Sequence, residues 1–337
     1  MRAIVIAFTL LLAACGGGAP GGAGEVAAPA AKVAYWWPLR GTSAPDGDAI
    51  HKRPLVIKVA NDPAARPQSG MAQADLVLEI PVEGGITRYA LVFQSLDPSK
   101  VGPVRSARQS DLNYLPALHA ILAHVGASES VTQMVRDAAK SGSFVDIDEF
   151  QHADAFERVA GKVAPYNAYT SGSKIRDAAG DAGRARVDVP ALQFDALVGK
   201  AVGTEATSLA IPYTGAGKVT YTFDAAAGAY RRTQGGQATM DGDAKKEVMP
   251  DNVVVIKTEV KEIPGTADVT GAPSVDFRST GTGAVVILRE GKRFDGTWTR
   301  GGTSDMYRFT DSAGEVIPLK QGLTWIHIVP ADFDLAG

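Results

Sequence analysis

Arginines and carboxylates that could do chemistry together are concentrated between residues 66 and 108. Guanidinium groups bind phosphate or carboxylate, and a glutamate placed among them could act as a general base. If a helix opens at Arg105, then Arg105 and Arg108 lie on one helix face beside its positive end. The candidate ligand-binding residues are Arg66, Arg88, Arg105 and Arg108, and the candidate acid/base residues are Glu79 and Glu83.

The same charged residues have a structural alternative, which we favour. In it the arginines pair with Glu79 and Glu83 and hold loops over a small sheet, because charge clusters also occur as loop-anchoring ion pairs. The structure distinguishes the two hypotheses. In a binding site the charged groups face an open cleft, whereas in a loop anchor they face one another.

A second group of polar residues lies close together in one short segment. It combines hard oxygen ligands with an imidazole, which suits Ca²⁺ or another divalent ion. Its spacing lacks the glycine and the terminal glutamate of an EF-hand loop, so we predict a solvated acidic turn and assign no metal site and no cofactor. The group consists of Asp146, Asp148, Glu149, His152 and Asp154.

Ser171 and Lys174 match the S-x-x-K pattern of penicillin-binding enzymes. The accompanying S-D-N and K-T-G patterns are absent from the sequence, so we predict that a serine here caps a helix. His119 and His124 lie before and within a predicted buried strand, which is typical of hydrogen-bonded structural histidines. The sequence also contains no G-x-S-x-G, no H-E-x-x-H and no P-loop.

Cys15, the single cysteine, follows Leu12, Ala13 and Ala14 at the end of a short apolar run. The run is too short to span a membrane, and its end has the pattern of a lipobox, whose thiol receives diacylglycerol. The alternative is an incidental cysteine in an ordinary signal peptide. We predict a signal peptide over residues 1–14, lipidation with palmitate or a similar acyl group at Cys15, and a location on the extracytoplasmic face of the cell membrane.

Residues 16–31 are rich in Gly, Ala and Pro and have no helical or strand period. We therefore predict a flexible tether over residues 15–50, with the aromatic residues 35–37 docking onto the folded part. The chain is 45% hydrophobic and 21% charged, with a formal net charge of -3. This composition is that of a globular protein and argues against nucleic acid as a partner.

The rest of the chain divides into two parts that differ in their pattern of predicted helices and strands. Segments with strand character alternate with segments of helical spacing up to about residue 185, which predicts α/β layers. From about residue 200 nearly every periodic segment is β-rich. We predict an α+β protein in which an N-terminal α/β domain with a mixed sheet (residues 51–185) precedes a smaller, predominantly β domain (residues 200–337).

Several motifs resemble the YerB-like lipoprotein family. They are residues 61–70 (NDPAARPQSG), 82–88 (VEGGITR), 102–108 (GPVRSAR) and 164–171 (APYNAYTS), with weaker matches at residues 252–255 and 322–330. The resemblance implies a two-domain bacterial envelope protein without an established biochemical activity. Two positions depart from the family pattern: Tyr166 replaces a histidine, and residues 237–241 lack a Pro-His-x-Asp pattern.

Two functions are compatible with these observations. The first is a non-catalytic envelope lipoprotein that is attached to the membrane through the lipid on Cys15. It would bind a partner such as a cell-wall protein or a glycan. The second is an enzyme that acts on an anionic envelope substrate, which the arginines would bind and Glu79 or Glu83 would deprotonate. The oligomeric state is not predicted.

Overall fold

Strands dominate the computed structural model, which describes residues 33–195, 202–214, 217–264, 266 and 271–335. The predicted signal peptide, Cys15 and the predicted tether up to residue 32 lie outside the described residues. From Ala34 onward the chain forms one compact unit. No helix within the described ranges is long and apolar enough to cross a bilayer.

Short helices and many strands follow one another along the described chain. The α-helices are α1 (Leu115–Leu118), α2 (Glu129–Ala139) and α3 (Gly172–Arg184). The strands are β1 (Tyr35–Trp36), β2 (Ser43–Ala44), β3 (Leu55–Ala60), β4 (Leu76–Pro81), β5 (Thr87–Phe93), β6 (Ile121–His124), β7 (Val145–Asp148), β8 (Glu157–Arg158), β9 (Ala168–Tyr169), β10 (Thr204–Glu205), β11 (Ser208–Ile211), β12 (Val219–Asp224), β13 (Ala229–Gln234), β14 (Gln237–Ala238), β15 (Met240–Asp241), β16 (Lys246–Glu247), β17 (Asn252–Thr258), β18 (Val260–Glu262), β19 (Val275–Phe277), β20 (Gly281–Arg289), β21 (Lys292–Arg300), β22 (Arg308–Thr310) and β23 (Thr324–Pro330).

A mixed sheet of eleven strands organises the described chain, in the order β10-β21-β20-β17-β23-β4-β5-β3-β6-β7, with β22 added beside β21. A four-stranded antiparallel sheet, β11-β12-β13-β14, covers part of it. The helices α1 to α3 all belong to the N-terminal part, and the described residues from β10 onward form strands. The predicted α+β class, with a mixed sheet followed by a β-rich part, is confirmed.

The two predicted domains share this sheet. Strand β23, near the C-terminus, lies parallel to β4 on one side and to β17 on the other. The apolar run of β23 is buried on both faces, which is the environment that parallel strands require. The junction between the N-terminal and C-terminal strands is therefore a pair of hydrogen-bonded central strands.

Alternation along the strands separates two sides of the sheet. In β5, Ala90 and Val92 belong to one apolar core, and Tyr89, Leu91 and Phe93 belong to another. The first core continues along the whole sheet, whereas the opposite side is covered by the second core and, farther along, by the four-stranded sheet. Neighbouring residues in β4 and β5 therefore face different environments.

The folded part begins earlier than the sequence predicted. Leu39 is fully buried in the first core, Trp37 is 8% exposed, and β1 pairs with β2. The prediction of a tether that extends to residue 50 is therefore wrong for the residues after 33, because Trp37 and Leu39 are buried against the folded part. The predicted docking of the aromatic segment is confirmed for Trp37, whereas Trp36 is 51% exposed.

The turn between β4 and β5 places a carboxylate at the edge of the sheet. A 3-10 turn over Glu83–Gly85 joins the antiparallel strands, and Gly84 and Gly85 have φ values of 71° and 68°. Glycine adopts this left-handed region without steric cost, which explains the Gly-Gly pair. The predicted hairpin turn is confirmed, and it holds Glu83 beside the start of β5.

Candidate functional site

A cleft of about 510 Å³ opens on the side of the sheet that carries the first core. Four of the six predicted site residues line it, together with an aspartate and a tyrosine that the chain brings from elsewhere. Three serines and small apolar residues form the rest of its wall. We call it the arginine cleft and define it by its charged residues and its tyrosine, Asp62, Glu83, Arg88, Arg105, Arg108 and Tyr166.

The segment that carries Arg105 and Arg108 is extended. The backbone N–H of Arg105 donates to the carbonyl oxygen of Lys58 at 2.9 Å, and its carbonyl oxygen accepts from the N–H of Val125 at 3.1 Å. These bonds fix the segment between β3 and the loop after β6. The condition that a helix opens at Arg105 is therefore not met, and a 3-10 helix begins only at Gln109.

Arg108 and Glu83 form an ion pair at the rim of the arginine cleft. The Nε of Arg108 donates to Oε2 of Glu83 at 2.7 Å, and its Nη1 donates to the carbonyl oxygen of Ala107 at 2.9 Å. The favoured loop-anchor hypothesis thus describes this pair. It does not describe Arg88 or Arg105, neither of which forms an ion pair with a described carboxylate.

Arg88 is a buried guanidinium in the floor of the arginine cleft. Its side chain is 3% exposed, and Nη1 donates to the carbonyl oxygen of Ser106 at 3.1 Å. It forms no ion pair with a described carboxylate, and its Nε has no hydrogen-bond partner. Burial, followed by the repulsion of Arg108 and Arg105, lowers the pKa of Arg88 to about 9, so the group is a cation at neutral pH.

Arg105 lies over an aromatic ring on another wall of the cleft. Its guanidinium carbon is 5.7 Å from the ring centroid of Tyr166, a cation–π arrangement. Burial lowers the pKa of Arg105, and burial together with the charge of Asp62 raises the pKa of Tyr166. The ring of Tyr166 is therefore neutral at physiological pH.

Glu79 lies outside the cleft, on the opposite side of the sheet. It pairs in register with Tyr89 and not with Arg88, and strand alternation therefore turns it away from the arginines. It is 0% exposed. Its Oε2 accepts from Nη2 of Arg232 at 2.9 Å and from the indole N–H of Trp325 at 2.9 Å, and its Oε1 accepts from the hydroxyl of Thr87 at 2.8 Å.

A buried polar network forms around Glu79, and His327 completes it. The ring nitrogens of His327 lie 3.1 Å from the Tyr213 hydroxyl and 2.7 Å from the Tyr221 hydroxyl, and Nδ1 is 3.4 Å from Oε2 of Glu79. Burial lowers the pKa of His327 to about 4, so the imidazole is neutral. We call Glu79, Arg232, His327, Tyr213 and Tyr221 the buried network.

The charges of the buried network compensate one another. Burial alone would raise the pKa of Glu79, but Arg232 and His327 hold it below its ordinary value. Burial likewise opposes the charge of Arg232, yet Glu79 raises the pKa of the guanidinium. Arg232 is also packed against Trp325, with its guanidinium carbon 4.6 Å from the ring centroid. Such a carboxylate is committed to an ion pair and has no solvent access, so it is not a general base.

Sequence reasoning missed Arg232 and His327. The histidine interrupts the apolar run of β23, and a titratable side chain inside a buried strand requires a buried partner. That signal was present in the sequence. For Arg232 no comparable signal existed. Arg231 and Arg232 are neighbours of the same residue type in β13, and only the structure shows that Arg231 is exposed and Arg232 is buried.

Arg66 belongs to a separate, smaller cavity of about 250 Å³, which it lines together with Tyr89, Arg232 and Gln234. Its Nη2 donates to the carbonyl oxygen of Asn61 at 3.1 Å. The predicted grouping of Arg66 with the other three arginines is therefore wrong. Residues 61–67 form a turn whose start faces the arginine cleft through Asp62 and whose end faces this second cavity.

The acidic segment after β6 serves the fold. The Nε2 of His124 donates to Oδ1 of Asp146 at 2.9 Å, and Asp148, which is 1% exposed, accepts from the N–H of Gly126 at 2.9 Å. The prediction of a solvated turn is wrong for Asp148. Across the described ranges, no group of three or more His, Cys, Asp or Glu side chains is arranged to hold a metal ion.

Ser171 and Lys174 have no catalytic arrangement. The Ser171 hydroxyl accepts from the backbone N–H of Lys174 at 3.3 Å and so caps α3, as predicted. The Lys174 amine lies 2.9 Å from Oε2 of Glu157 and is committed to that ion pair.

Comparison with known proteins gives two family matches and a solved relative. Residues 39–185 match a family described as "Protein of unknown function (DUF3048) N-terminal domain", and residues 209–326 match its "C-terminal domain". The chain is 32% identical over 291 residues to "Putative lipoprotein YerB" of Bacillus subtilis (strain 168), which spans 85% of this chain and 83% of that protein. It also matches the crystal structure of YerB protein from Bacillus subtilis with a TM-score of 0.76 and 27% identity, over 90% of this chain and 100% of that one.

Proposed function

The chain belongs to the DUF3048 family, as its resemblance to the YerB-like lipoproteins predicted, and on that premise we propose that it is a lipid-anchored protein of the cell envelope. We propose further that it binds an anionic ligand in the arginine cleft and does not transform it. The ligand belongs to a cell-wall protein or glycan within reach of the anchored chain.

The lipid anchor is supported by the lipobox at Cys15 and by the name of the Bacillus relative. The test is the full chain with Cys15→Ala, expressed beside the wild type in cells fed a labelled palmitate analogue. The wild type is expected to carry the label and to sediment with membranes, and the variant is expected to lose both properties. A variant that stays labelled and membrane-bound would contradict the anchor.

Arg88 is the observation that carries the binding function. A buried cation is costly unless an anion pairs with it, and the described part of the fold provides Arg88 with a single carbonyl oxygen. Arg105 and Arg108 converge on the same cleft. An anionic group bound there would form charge-assisted hydrogen bonds, which are stronger than hydrogen bonds between neutral groups.

The positions of the two carboxylates favour binding over catalysis. Glu79 is sealed in the buried network on the other side of the sheet. Glu83 faces the cleft, but its Oε2 is held by Arg108 at 2.7 Å. An enzyme that used either group as a general base would first have to break an ion pair.

The binding function is tested by following the melting temperature of the full-length protein in detergent while acetate or sulfate is added. A ligand that binds only the folded state raises the melting temperature saturably. The rise is expected for the wild type and for Arg184→Gln, which changes an exposed arginine far from the cleft lining, and it is expected to vanish in Arg105→Gln. Equal responses of the three proteins, or none, would overturn the proposal.

A further inference from the structure

The charge of the arginine cleft limits the ligand. Arg88, Arg105 and Arg108 contribute three positive charges, and Asp62 and Glu83 contribute two negative ones, which leaves an excess of one positive charge. A singly charged anion balances this excess. A doubly charged phosphate monoester would leave the cleft with an excess of one negative charge. It would also lie beside the carboxylates of Asp62 and Glu83, which repel it.

Arg105 offers the anion a guanidinium beside an aromatic ring. The guanidinium carbon lies over the Tyr166 ring, 5.7 Å from its centroid, and no described carboxylate forms an ion pair with Arg105. A carboxylate accepts two parallel hydrogen bonds from a guanidinium.

The remaining wall of the cleft is built of small side chains. Ser106, Ser128 and Ser274 contribute hydroxyl groups, and the apolar side chains between them suit an alkyl group of one to a few carbons. The N-terminal turn of α2 contributes Ser128 beside this wall and adds the positive end of a helix of eleven residues. The apolar lining side chains are Ile86, Ala107, Ala127, Val131, Pro165 and Ala272.

We infer that the arginine cleft binds the free carboxyl terminus of a peptide whose last residues carry short aliphatic side chains. The terminal carboxylate lies between Arg88 and Arg105, and the aliphatic groups lie against Ile86 and Val131. A cavity of about 510 Å³ is within the range of ligand sites and accommodates a short peptide segment. This inference rests on the proposed function and gives its ligand a chemical class.

The experiment compares four probes by titration calorimetry with the full-length protein in detergent: acetyl-Ala-Ala, its C-terminal amide, acetyl-Gly-Gly and glycerol 1-phosphate. The amide removes only the charge, and the glycine peptide removes only the methyl groups. Acetyl-Ala-Ala is expected to bind at least about tenfold more tightly than its amide, since losing a charge-assisted hydrogen bond costs about 1.5–3 kcal/mol. Acetyl-Gly-Gly is expected to bind several-fold more weakly.

Protein variants locate the binding. Arg105→Gln is expected to bind acetyl-Ala-Ala no better than the wild type binds the amide, and Arg184→Gln is expected to match the wild type. The melting temperature of each variant, measured without ligand, separates lost binding from lost folding. Arg105 is partly exposed and forms no described ion pair, so its variant is expected to fold.

The outcomes separate this inference from the function on which it rests. If glycerol 1-phosphate binds more tightly than acetyl-Ala-Ala and Arg105→Gln abolishes that binding, the cleft is an anion site but the peptide inference is overturned. If the amide binds as well as the acid, the carboxylate has no role and the inference is also overturned. If no probe binds, and acetate and sulfate do not either, both proposals fail.

Discussion

The arginine cleft and the buried network use the same residue types on opposite sides of the same two strands. In the buried network the guanidinium of Arg232 lies 2.9 Å from a carboxylate oxygen of Glu79. In the arginine cleft the guanidinium of Arg88 has only a carbonyl oxygen at 3.1 Å. A guanidinium that is bonded to a carboxylate stabilises the fold, whereas a buried guanidinium that is bonded to no carboxylate is a candidate to bind an anionic ligand.

The position of each region in the sheet agrees with this division. Glu79 and His327 are register partners on β4 and β23, where the N-terminal and C-terminal strands of the sheet meet. The buried network therefore joins the two parts of the molecule. The arginine cleft lies among the turn after β4, the extended segment before α1 and the start of α2, where loops leave an opening.

The largest expected effect is on the buried network. Glu79→Gln keeps the shape of the side chain but leaves Arg232 as a buried charge without a counterion, so it is expected to lower the free energy of unfolding by about 3–5 kcal/mol. The measurement is urea denaturation followed by tryptophan fluorescence. The double variant Glu79→Gln, Arg232→Met is expected to recover part of the loss, because no unpaired charge is left. A cost below about 1 kcal/mol for the single variant would remove the distinction between the two regions.

The second effect is a pH dependence that two histidines impose with opposite signs. His327 has a folded-state pKa of about 4, below the value of about 6.5 in an unfolded chain. The unfolded state therefore binds the proton first, and stability is lost as the pH falls from about 6.5 to 4, by about 3 kcal/mol. His124 differs: burial opposes its charge, but Asp146 raises its pKa, so its contribution is present below pH 6.5 and is lost as the pH rises.

Variants separate these two contributions. The free energy of unfolding is measured between pH 4 and 8 for the wild type, His327→Gln and His124→Gln. Relative to the wild type, His327→Gln is expected to flatten the acidic side of the profile, and His124→Gln is expected to flatten the side above pH 6.5. Parallel profiles for all three proteins would contradict the opposite protonation behaviour.

The third effect compares the same substitution in the other region. Glu83→Gln breaks the ion pair with Arg108 but is expected to cost only about 1–2 kcal/mol, because Arg108 keeps its bond to the Ala107 carbonyl and lines an open cleft. Urea denaturation beside Glu79→Gln provides the comparison. Equal losses in the two variants would mean that the cleft is as much a part of the scaffold as the buried network.

The sequence predicted the class of the fold and much of the cleft, but it did not separate the two regions. Strand and turn signals were local, so the β4–β5 hairpin with its Gly-Gly turn was predicted correctly. The grouping of Glu79 with Arg88 was wrong because two strands and a turn place them near in sequence and opposite in space. Successive residues of a strand face opposite sides of the sheet, so a shift of one position changes the side that a residue faces. Which residues face each other also depends on register, which is set by pairing between distant segments.

Other failures have the same cause. No helix opens at Arg105 because β3 and the loop after β6, distant in sequence, bind the backbone of that residue. The true partner of Glu79 is Arg232, 153 positions along the chain, and the sequence offered nothing to join them. By contrast, Ser171 was correctly predicted as a cap, since the interaction spans three residues.

The smallest expected effect on stability sharpens the comparison most. Arg88→Met replaces a buried guanidinium that has no carboxylate partner by an uncharged side chain of similar length, so the free energy of unfolding is expected to change by less than about 1 kcal/mol or to rise. The same substitution on the other side of the sheet, Arg232→Met, leaves Glu79 unpaired and is expected to cost about 3–5 kcal/mol. Urea denaturation measures both. The anion-dependent rise in melting temperature is expected to disappear in Arg88→Met and to persist in Arg232→Met. A loss above about 2 kcal/mol for Arg88→Met would make Arg88 part of the scaffold, since a charge kept for a ligand contributes nothing to the stability of the empty protein.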